Sequence, residues 1–274
     1  MDFVNANGLR FAYLSEGSGP LVLFLHGFPD TPHSWDRVMP AVAKAGFRAV
    51  APYMRGYHPT EIPKDGKYDG DTLGRDVVAL IEALGAQQAI LVGHDWGALA
   101  AYTAASIAPE RVKLLITVGV PHPASVVPTP RMLWAVRHFV PLRMKGAGKK
   151  IRANNFAYID QLVRRWSPEW KDIPASETAR VKEAFSEPGS AEAAAGYYAA
   201  LSPRVPASLK KQITVPTVAF AGLHDNISPS VYERSRRSFA SQYEVVQVPG
   251  GHFMHREHPE PFIADLVRVL QAAR

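Results

Sequence analysis

An aspartate, Asp95, lies at the centre of a glycine-flanked turn, in the pattern Gly-x-Asp-x-Gly that it forms with Gly93 and Gly97. The turn separates a short apolar run, 89–92, from a stretch of small residues, 97–108. The two glycines have no Cβ, so the chain can turn sharply and a helix can pack closely against a strand. The pattern therefore predicts a nucleophile in a strained turn above a sheet, at a helix N-terminus that favours a negative charge.

A carboxylate in the nucleophile position restricts the chemistry. When a carboxylate attacks an sp3 carbon it forms an alkyl ester, which water must then cleave. Such a nucleophile suits a substrate with a strained ring or a good leaving group on carbon, such as an epoxide or a halide. It does not suit ordinary acyl esters, so the serine-esterase reaction is not expected here. Asp95 is the predicted nucleophile.

An acid and a histidine follow Asp95 in the chain order nucleophile, acid, histidine, which is typical of triads on this kind of sheet. Asp225 comes directly after one apolar run, and His252 comes after the last one. We expect His252 to deprotonate the hydrolytic water, while Asp225 orients its ring and stabilises the imidazolium. His255 and His258 lie beyond the triad in a charged stretch, and we predict that both are surface residues.

The segment 26–29 (HGFP) follows the apolar run 21–25. At this place the backbone N–H of Phe28 is expected to pair with that of Trp96 to form an oxyanion hole for ester hydrolysis. Both contributions come from the main chain, so they need no particular side chain. We predict a structural role for His26.

The chain alternates short apolar runs with helix-like stretches, except in one long segment. This alternation predicts a parallel sheet with helices on both faces. Over 122–211 it is replaced by helical segments rich in Arg, Trp and Tyr and broken by prolines. We therefore predict an α/β fold in which a helical cap, 122–211, interrupts a core made of 1–121 and 212–274. A cap inserted there would cover the carboxyl ends of the strands, where open α/β sheets bind their ligands.

The composition excludes several classes of protein and site. With 274 residues and 47% apolar content, the chain can form one large core and an insertion. It contains no cysteine, which excludes disulfides, thiolate metal sites and a cysteine nucleophile. We expect no metal and no cofactor. The net charge of +6 comes from mostly scattered basic residues, so no nucleic-acid partner is expected.

The N-terminal segment does not have the pattern of a signal peptide, and the apolar runs are too short to cross a bilayer. We therefore predict a protein without a membrane span, and we take a cytoplasmic location as the default. A monomer and a homodimer are both compatible with the sequence.

The sequence resembles the epoxide hydrolases of the α/β-hydrolase fold and, more distantly, the haloalkane dehalogenases. The resemblance implies a mostly parallel eight-stranded sheet with helices on both faces and an inserted helical cap. Haloalkane dehalogenases usually carry Asn where this chain has Phe28, so HGFP is more similar to the epoxide hydrolases. The segments that carry the resemblance are 26–30 with Trp35, 51–57, 93–98, 120–123 and 251–252.

The resemblance also implies hydrogen-bond donors from the cap. In such epoxide hydrolases two cap tyrosines donate to the epoxide oxygen, and Tyr198 has the position of the second. His138 takes the position of the first, and Tyr158 is a reserve candidate. We expect Trp96, Phe28, Tyr158 and Tyr197 to line the substrate pocket.

The leading hypothesis is an enzyme that opens an oxirane to a vicinal diol through a covalent aspartyl ester. Its substrate would be a small, apolar epoxide. Two alternatives remain open at this point. One is a haloalkane or haloacid dehalogenase that uses the same triad, and the other is a catalytically silent ligand-binding homologue.

Overall fold

The computed structural model describes residues 1–127, 129–202 and 204–274, without the side chain of Arg131. Eight strands form one sheet. In chain order they are β1 (Asp2–Ala6), β2 (Leu9–Glu16), β3 (Leu21–Leu25), β4 (Arg48–Pro52), β5 (Ala89–His94), β6 (Val112–Val118), β7 (Thr217–Gly222) and β8 (Tyr243–Val248). Their order across the sheet is β1-β2-β4-β3-β5-β6-β7-β8. The β1–β2 and β2–β4 pairs are antiparallel and the others are parallel. The predicted mostly parallel eight-stranded sheet is confirmed.

The central strand β3 shows why the core runs are continuously apolar. All five of its residues are buried. Leu21, Leu23 and Leu25 pack into the hydrophobic cluster on one face of the sheet. Val22 and Phe24 pack into the cluster on the other face, because successive side chains of a strand point in opposite directions. A strand covered on both faces must therefore be apolar throughout.

Helices cover both faces of the sheet. The helices of the core are α1 (Met39–Lys44), α2 (Gly70–Ala83), α3 (Trp96–Ile107), and, after the cap, α9 (Pro229–Arg234), α10 (Met254–Glu257) and α11 (Pro259–Ala272). The buried residues of α2 and α3 belong to one hydrophobic cluster, and those of α1 and α11 belong to the other. Residues 32–35 form a separate 3-10 turn before α1.

Between β6 and β7 the described residues contain helices and no named strand. These helices are α4 (Pro130–Ala135), α5 (Phe139–Arg143), α6 (Ala147–Trp166), α7 (Ser176–Ser186) and α8 (Ser190–Ala200). Helix α6 is interrupted at 153–156, where three successive residues have positive φ values of 50°, 52° and 61°. The division into a cap, 122–211, and two core parts stays a prediction. In the described part of the chain, no helix combines the length and the apolar character that crossing a membrane requires.

The parallel strands bring the predicted chemistry together at their carboxyl ends. Asp95 follows β5 directly, and the HGFP loop follows β3. Asp225 lies three residues after the end of β7, and His252 lies four residues after the end of β8. Because parallel strands end at the same edge of a sheet, four distant parts of the sequence meet there.

Candidate active site

Asp95 occupies the sharp turn between β5 and α3. Its φ of 52° and ψ of −118° lie outside the regions that a non-glycine residue normally adopts. The turn depends on its two flanking glycines. A Cβ on Gly97 would collide with the carbonyl oxygen of Leu25, and one on Gly93 would collide with the backbone of Gly97. The strained conformation is therefore held by close packing of α3 against β3.

The HGFP loop lies directly against the Asp95 carboxylate. The backbone N–H of Phe28 donates a hydrogen bond to Asp95 Oδ1 at 2.8 Å. This contact requires Gly27, because a Cβ at that position would collide with the Asp95 side chain itself. Gly27 was not predicted as a site residue, although a glycine next to a predicted oxyanion-hole residue is a signal for close backbone approach. Both ring nitrogens of His26 bond to main-chain atoms, of Gly27 and Met54, in agreement with a structural role.

The structure brings His252 between the two carboxylates. Its Nδ1 lies 3.2 Å from Asp225 Oδ2, and its Nε2 lies 3.5 Å from Asp95 Oδ2. Burial lowers the pKa of His252, but Asp225 and Asp95 more than offset that effect and raise the pKa to about 10. The ring is therefore an imidazolium at neutral pH.

Main-chain contacts fix the loop that carries His252. The His252 N–H donates to the carbonyl of Trp166, at the end of α6, at 2.8 Å. On the other side, His94 Nε2 lies 3.0 Å from the His252 carbonyl oxygen. Burial, together with His255 and His252, holds the pKa of His94 well below its usual value. His94 is therefore neutral, and its Nε2–H donates to that carbonyl, since a carbonyl only accepts.

The prediction that His255 is a surface residue is wrong. Its side chain is fully buried and stacks on Trp35, with ring centroids 4.5 Å apart. Burial and the charge of Arg256 hold the pKa of His255 well below its usual value, so the ring is neutral. His258, in contrast, keeps 44% of its side chain exposed, as predicted for a surface residue.

A buried ion-pair network joins the cap region to the loops of the site. Arg256 Nη1 donates to Asp30 Oδ2 at 3.0 Å, and Arg256 Nε donates to Glu177 Oε2 at 3.0 Å. Asp30 belongs to the HGFP loop region, and Glu177 belongs to α7. Asp30 could also form a metal-ligand group with His94 and His255, whose ligand atoms lie within 4.8 Å of one another. We assign no metal there, because Arg256 already neutralises this carboxylate.

A large cavity opens above the carboxylate, with a volume of about 640 Å³. Apolar and aromatic side chains form most of its wall. Its catalytic end is lined by Asp95, Trp96, His138, Trp166, Tyr197 and His252. Of the expected pocket residues, Trp96 and Tyr197 line the cavity, and Tyr197 also donates a hydrogen bond to the Arg55 carbonyl at 2.8 Å.

Tyr198 and Phe28 lie behind this wall, where Tyr198 is 1% exposed. The Tyr198 ring packs edge-on against Trp96 and Phe28, at centroid distances of 5.1 and 5.3 Å. Its hydroxyl has no hydrogen-bond partner among the described residues. Burial and the charge of Asp95 raise the pKa of Tyr198 well above its usual value, so the hydroxyl keeps its proton. The Tyr158 hydroxyl is also buried without a partner in the described chain, and its ring is not part of the cavity lining found there.

His138 reaches the cavity from the segment between α4 and α5. Its ring lies 4.6 Å from Trp166 and 5.8 Å from Tyr198, measured between ring centroids. Its Nδ1 lies 3.2 Å from the carbonyl oxygen of Ala135. Burial lowers the pKa of His138 to about 4, although the Asp95 charge acts in the opposite direction. The structure thus places His138 in the same cavity as Asp95, as a neutral ring.

Comparison with known proteins identifies the family of this chain. Residues 20–259 match the family model described as "alpha/beta hydrolase fold". The chain is 29% identical to the "AB hydrolase superfamily protein YfhM" of Bacillus subtilis (strain 168), over 94% of this chain and 93% of that protein. It is 31% identical to "Epoxide hydrolase 3" of Mus musculus, over 94% of this chain and 72% of that protein.

Among solved structures, the Bacillus megaterium epoxide hydrolase in complex with an inhibitor is similar, with a TM-score of 0.88 and 25% identity. The match covers 98% of this chain and all of that one. The resemblance stated from the sequence motifs is confirmed. The chain therefore belongs to the α/β-hydrolase fold family and, within it, to the epoxide hydrolases.

Proposed function

We propose that the chain hydrolyses epoxides to vicinal diols through a covalent ester of Asp95. One observation carries this proposal: a carboxylate occupies the nucleophile turn, with one oxygen held by the Phe28 N–H and the other facing His252. A carboxylate held in this way can attack carbon, and the ester that it forms then lies beside a histidine that can activate water. The family relatives named epoxide hydrolases support the same reaction class.

In the first step, Asp95 Oδ2 attacks a ring carbon of the epoxide. A bond forms between Oδ2 and that carbon, and the bond between the carbon and the ring oxygen breaks. The ring oxygen then takes a proton and becomes a hydroxyl group. Tyr198 is the proposed donor, because its hydroxyl stays protonated near Asp95 and has no partner among the described residues.

Ester formation itself converts His252 into a base. In the free enzyme Asp225 and Asp95 raise the pKa of His252 to about 10, against the effect of burial. Once Asp95 is an ester, its charge is gone and Asp225 alone opposes burial. The pKa of His252 therefore falls, and the proton that it releases passes through solvent to the Tyr198 phenolate left by the first step. The neutral ring can then take a proton from water through Nε2.

In the second step, the oxygen of that water attacks Cγ of the Asp95 ester. Negative charge develops on Oδ1, where the Phe28 N–H already lies at 2.8 Å. The Trp96 N–H is the proposed second donor, because the first amides of a helix have no acceptor within the helix. The Cγ–Oδ2 bond then breaks, and Oδ2 leaves with the product and takes the proton from His252. Asp95 keeps the oxygen from water, and the hydrogen that remains on this oxygen moves to His252, which restores the carboxylate and the imidazolium of the free enzyme.

The substrate class follows from the cavity above Asp95. Its wall is mostly apolar, so we propose a small, apolar epoxide as the substrate. Each step uses side chains and amides of this chain together with water. The cytoplasmic location and the choice between monomer and homodimer stay predictions.

Trapping the ester tests the proposal. The His252→Gln variant, mixed with styrene oxide, should gain the mass of one epoxide, and the double variant Asp95→Ala/His252→Gln should gain none. Intact-mass spectrometry measures both. Diol formation by the wild type without any adduct in His252→Gln would contradict the two-step scheme. Halide release from haloalkanes, without diol from epoxides, would instead indicate a dehalogenase. Binding of an epoxide without any product would indicate a silent homologue.

A further inference from the structure

His138 is a polar group of the cap region that lines the cavity and has no role in the steps above. It is 8% exposed and lines the cavity together with Asp95 and Trp166. Its ring is edge-on to Tyr198, the proposed donor to the epoxide oxygen. Whatever hydrogen bond His138 makes with a substrate is therefore made beside the oxirane.

The hydrogen bond at Nδ1 determines which ring nitrogen carries the proton. Nδ1 lies 3.2 Å from the Ala135 carbonyl oxygen, and a carbonyl oxygen only accepts. Nδ1 must therefore carry the hydrogen. Because burial lowers the pKa of His138 to about 4, the ring has only this one hydrogen at neutral pH.

Nε2 of His138 is consequently a lone-pair acceptor that faces the cavity. No donor among the described residues bonds to it. A nitrogen with a lone pair cannot donate a hydrogen bond to an epoxide oxygen, which is itself only an acceptor. The resemblance to epoxide hydrolases implies that His138 is a second donor beside Tyr198. In its neutral state His138 cannot have this role.

We propose that His138 Nε2 accepts a hydrogen bond from a hydroxyl group on the carbon next to the oxirane, so that the preferred substrates are 2,3-epoxy alcohols with an apolar substituent. The inference rests on the proposed epoxide hydrolysis. Tyr198 donates to the ring oxygen and His138 accepts from the neighbouring hydroxyl. The two groups thus differ in the kind of substrate atom that each can bind. Because the cavity wall is mostly apolar, a substrate without this hydroxyl group leaves His138 Nε2 without a donor, which costs binding free energy. The cavity should therefore select epoxides that carry the hydroxyl group.

A matched pair of substrates tests the assignment. The alcohol 3-phenyl-2,3-epoxypropan-1-ol and its methyl ether share the same oxirane and apolar substituent, but only the alcohol has a hydrogen to donate. For the wild type we expect kcat/KM to be about 3- to 10-fold higher for the alcohol, the effect of one neutral hydrogen bond. In His138→Phe the ratio should fall to about one, since the ring has no acceptor. His138→Gln, whose amide oxygen accepts, should recover part of the preference.

The exposed histidine His58, which is not part of the cavity lining, supplies the control, because His58→Phe makes the same chemical change outside the cavity and should leave the ratio unchanged. Equal kcat/KM values for alcohol and ether in the wild type would overturn the proposal, and so would an unchanged ratio in His138→Phe. Diol from neither substrate would overturn the proposed function itself. Nitrogen NMR of the His138 ring is a second measurement that does not depend on turnover. It should show a hydrogen on Nδ1 and none on Nε2 at neutral pH, and the reverse pattern would overturn the assignment.

Discussion

The change Gly27→Ala tests how the HGFP loop supports Asp95, the proposed nucleophile. The added Cβ would collide with Cβ, Cγ and Oδ1 of Asp95, so either the loop or the carboxylate must move. The main chain at this point carries the Phe28 N–H, which donates to Oδ1 at 2.8 Å. Any shift that relieves the collision therefore also lengthens this hydrogen bond.

The size of the effect follows from the two consequences of that shift. Overpacking of a tight site costs about 1–3 kcal/mol of folding free energy. Loss of one oxyanion-hole donor reduces kcat by about 10²- to 10³-fold. Because the negative charge on Oδ1 develops during ester hydrolysis, this second step should slow most. The alkyl-enzyme should then accumulate during turnover of styrene oxide.

Gly85→Ala is the matched control. Gly85 has a φ of +81°, so alanine is strained there, but its Cβ would meet no atom within 4 Å. Gly85 lies just beyond α2, roughly 20 Å along the helix from the cavity-lining Gly70. Both variants should have lower melting temperatures, but only Gly27→Ala should accumulate the ester in intact-mass spectra. Turnover of Gly27→Ala within about threefold of the wild type would refute the reasoning.

Two further changes test the electrostatics of the site and of the cap. In Asp225→Asn the pKa of His252 should fall from about 10, because one of the two carboxylates that raise it is lost, and an NMR titration of the ring measures this. In the wild type, the raised pKa of His252 stabilises the folded protein below about pH 6.5, and this stabilisation is lost as the pH rises towards 10. Because the shift is smaller in Asp225→Asn, the free energy of unfolding of the variant should change less over this pH range. Glu177→Gln removes the charge that pairs with buried Arg256 and should lower the unfolding free energy by about 1–3 kcal/mol, measured with denaturant. Glu183→Gln, in an exposed ion pair, should change it by less than about 1 kcal/mol.

The mostly parallel sheet and the sharp turn at Asp95 could be predicted because their signals are local. Gly93, Asp95 and Gly97 form a pattern that can be recognised within five residues, although the steric need for Gly97 comes from Leu25 on the neighbouring strand. The apolar runs identify strands buried on both faces without any knowledge of their partners. The carboxyl ends of parallel strands then meet at one edge, so Asp225 and His252 could be placed from chain order alone.

The first strand was missed although its signal was present. Residues 2–6 are mostly exposed, so their apolar pattern is weak. The turn that joins β1 to β2 is Asn7-Gly8, with φ values of 45° and 77°, and Ala6 pairs with Leu9 across it. An Asn-Gly pair with two positive φ values is the two-residue hairpin turn that the twist of the strands favours.

The states of the histidines could not be predicted, because they depend on tertiary burial. His255 lies in a charged stretch of sequence, yet Trp35, from a different part of the chain, covers its ring. His138 is three residues from Ala135, so its hydrogen bond is local, but its neutral state depends on burial beside Trp166. Sequence spacing does not show which side chains will cover a given ring.

The central claim is that Asp95 Oδ2 forms a bond to the substrate, and an oxygen-isotope experiment tests it most directly. Enzyme in excess over styrene oxide is allowed a single turnover in water enriched in oxygen-18. The mechanism predicts oxygen-18 in the peptide that contains Asp95, while the diol of this first turnover carries unlabelled oxygen. Oxygen-18 in the diol and none in Asp95 would mean that water attacks the epoxide directly, and would contradict the account.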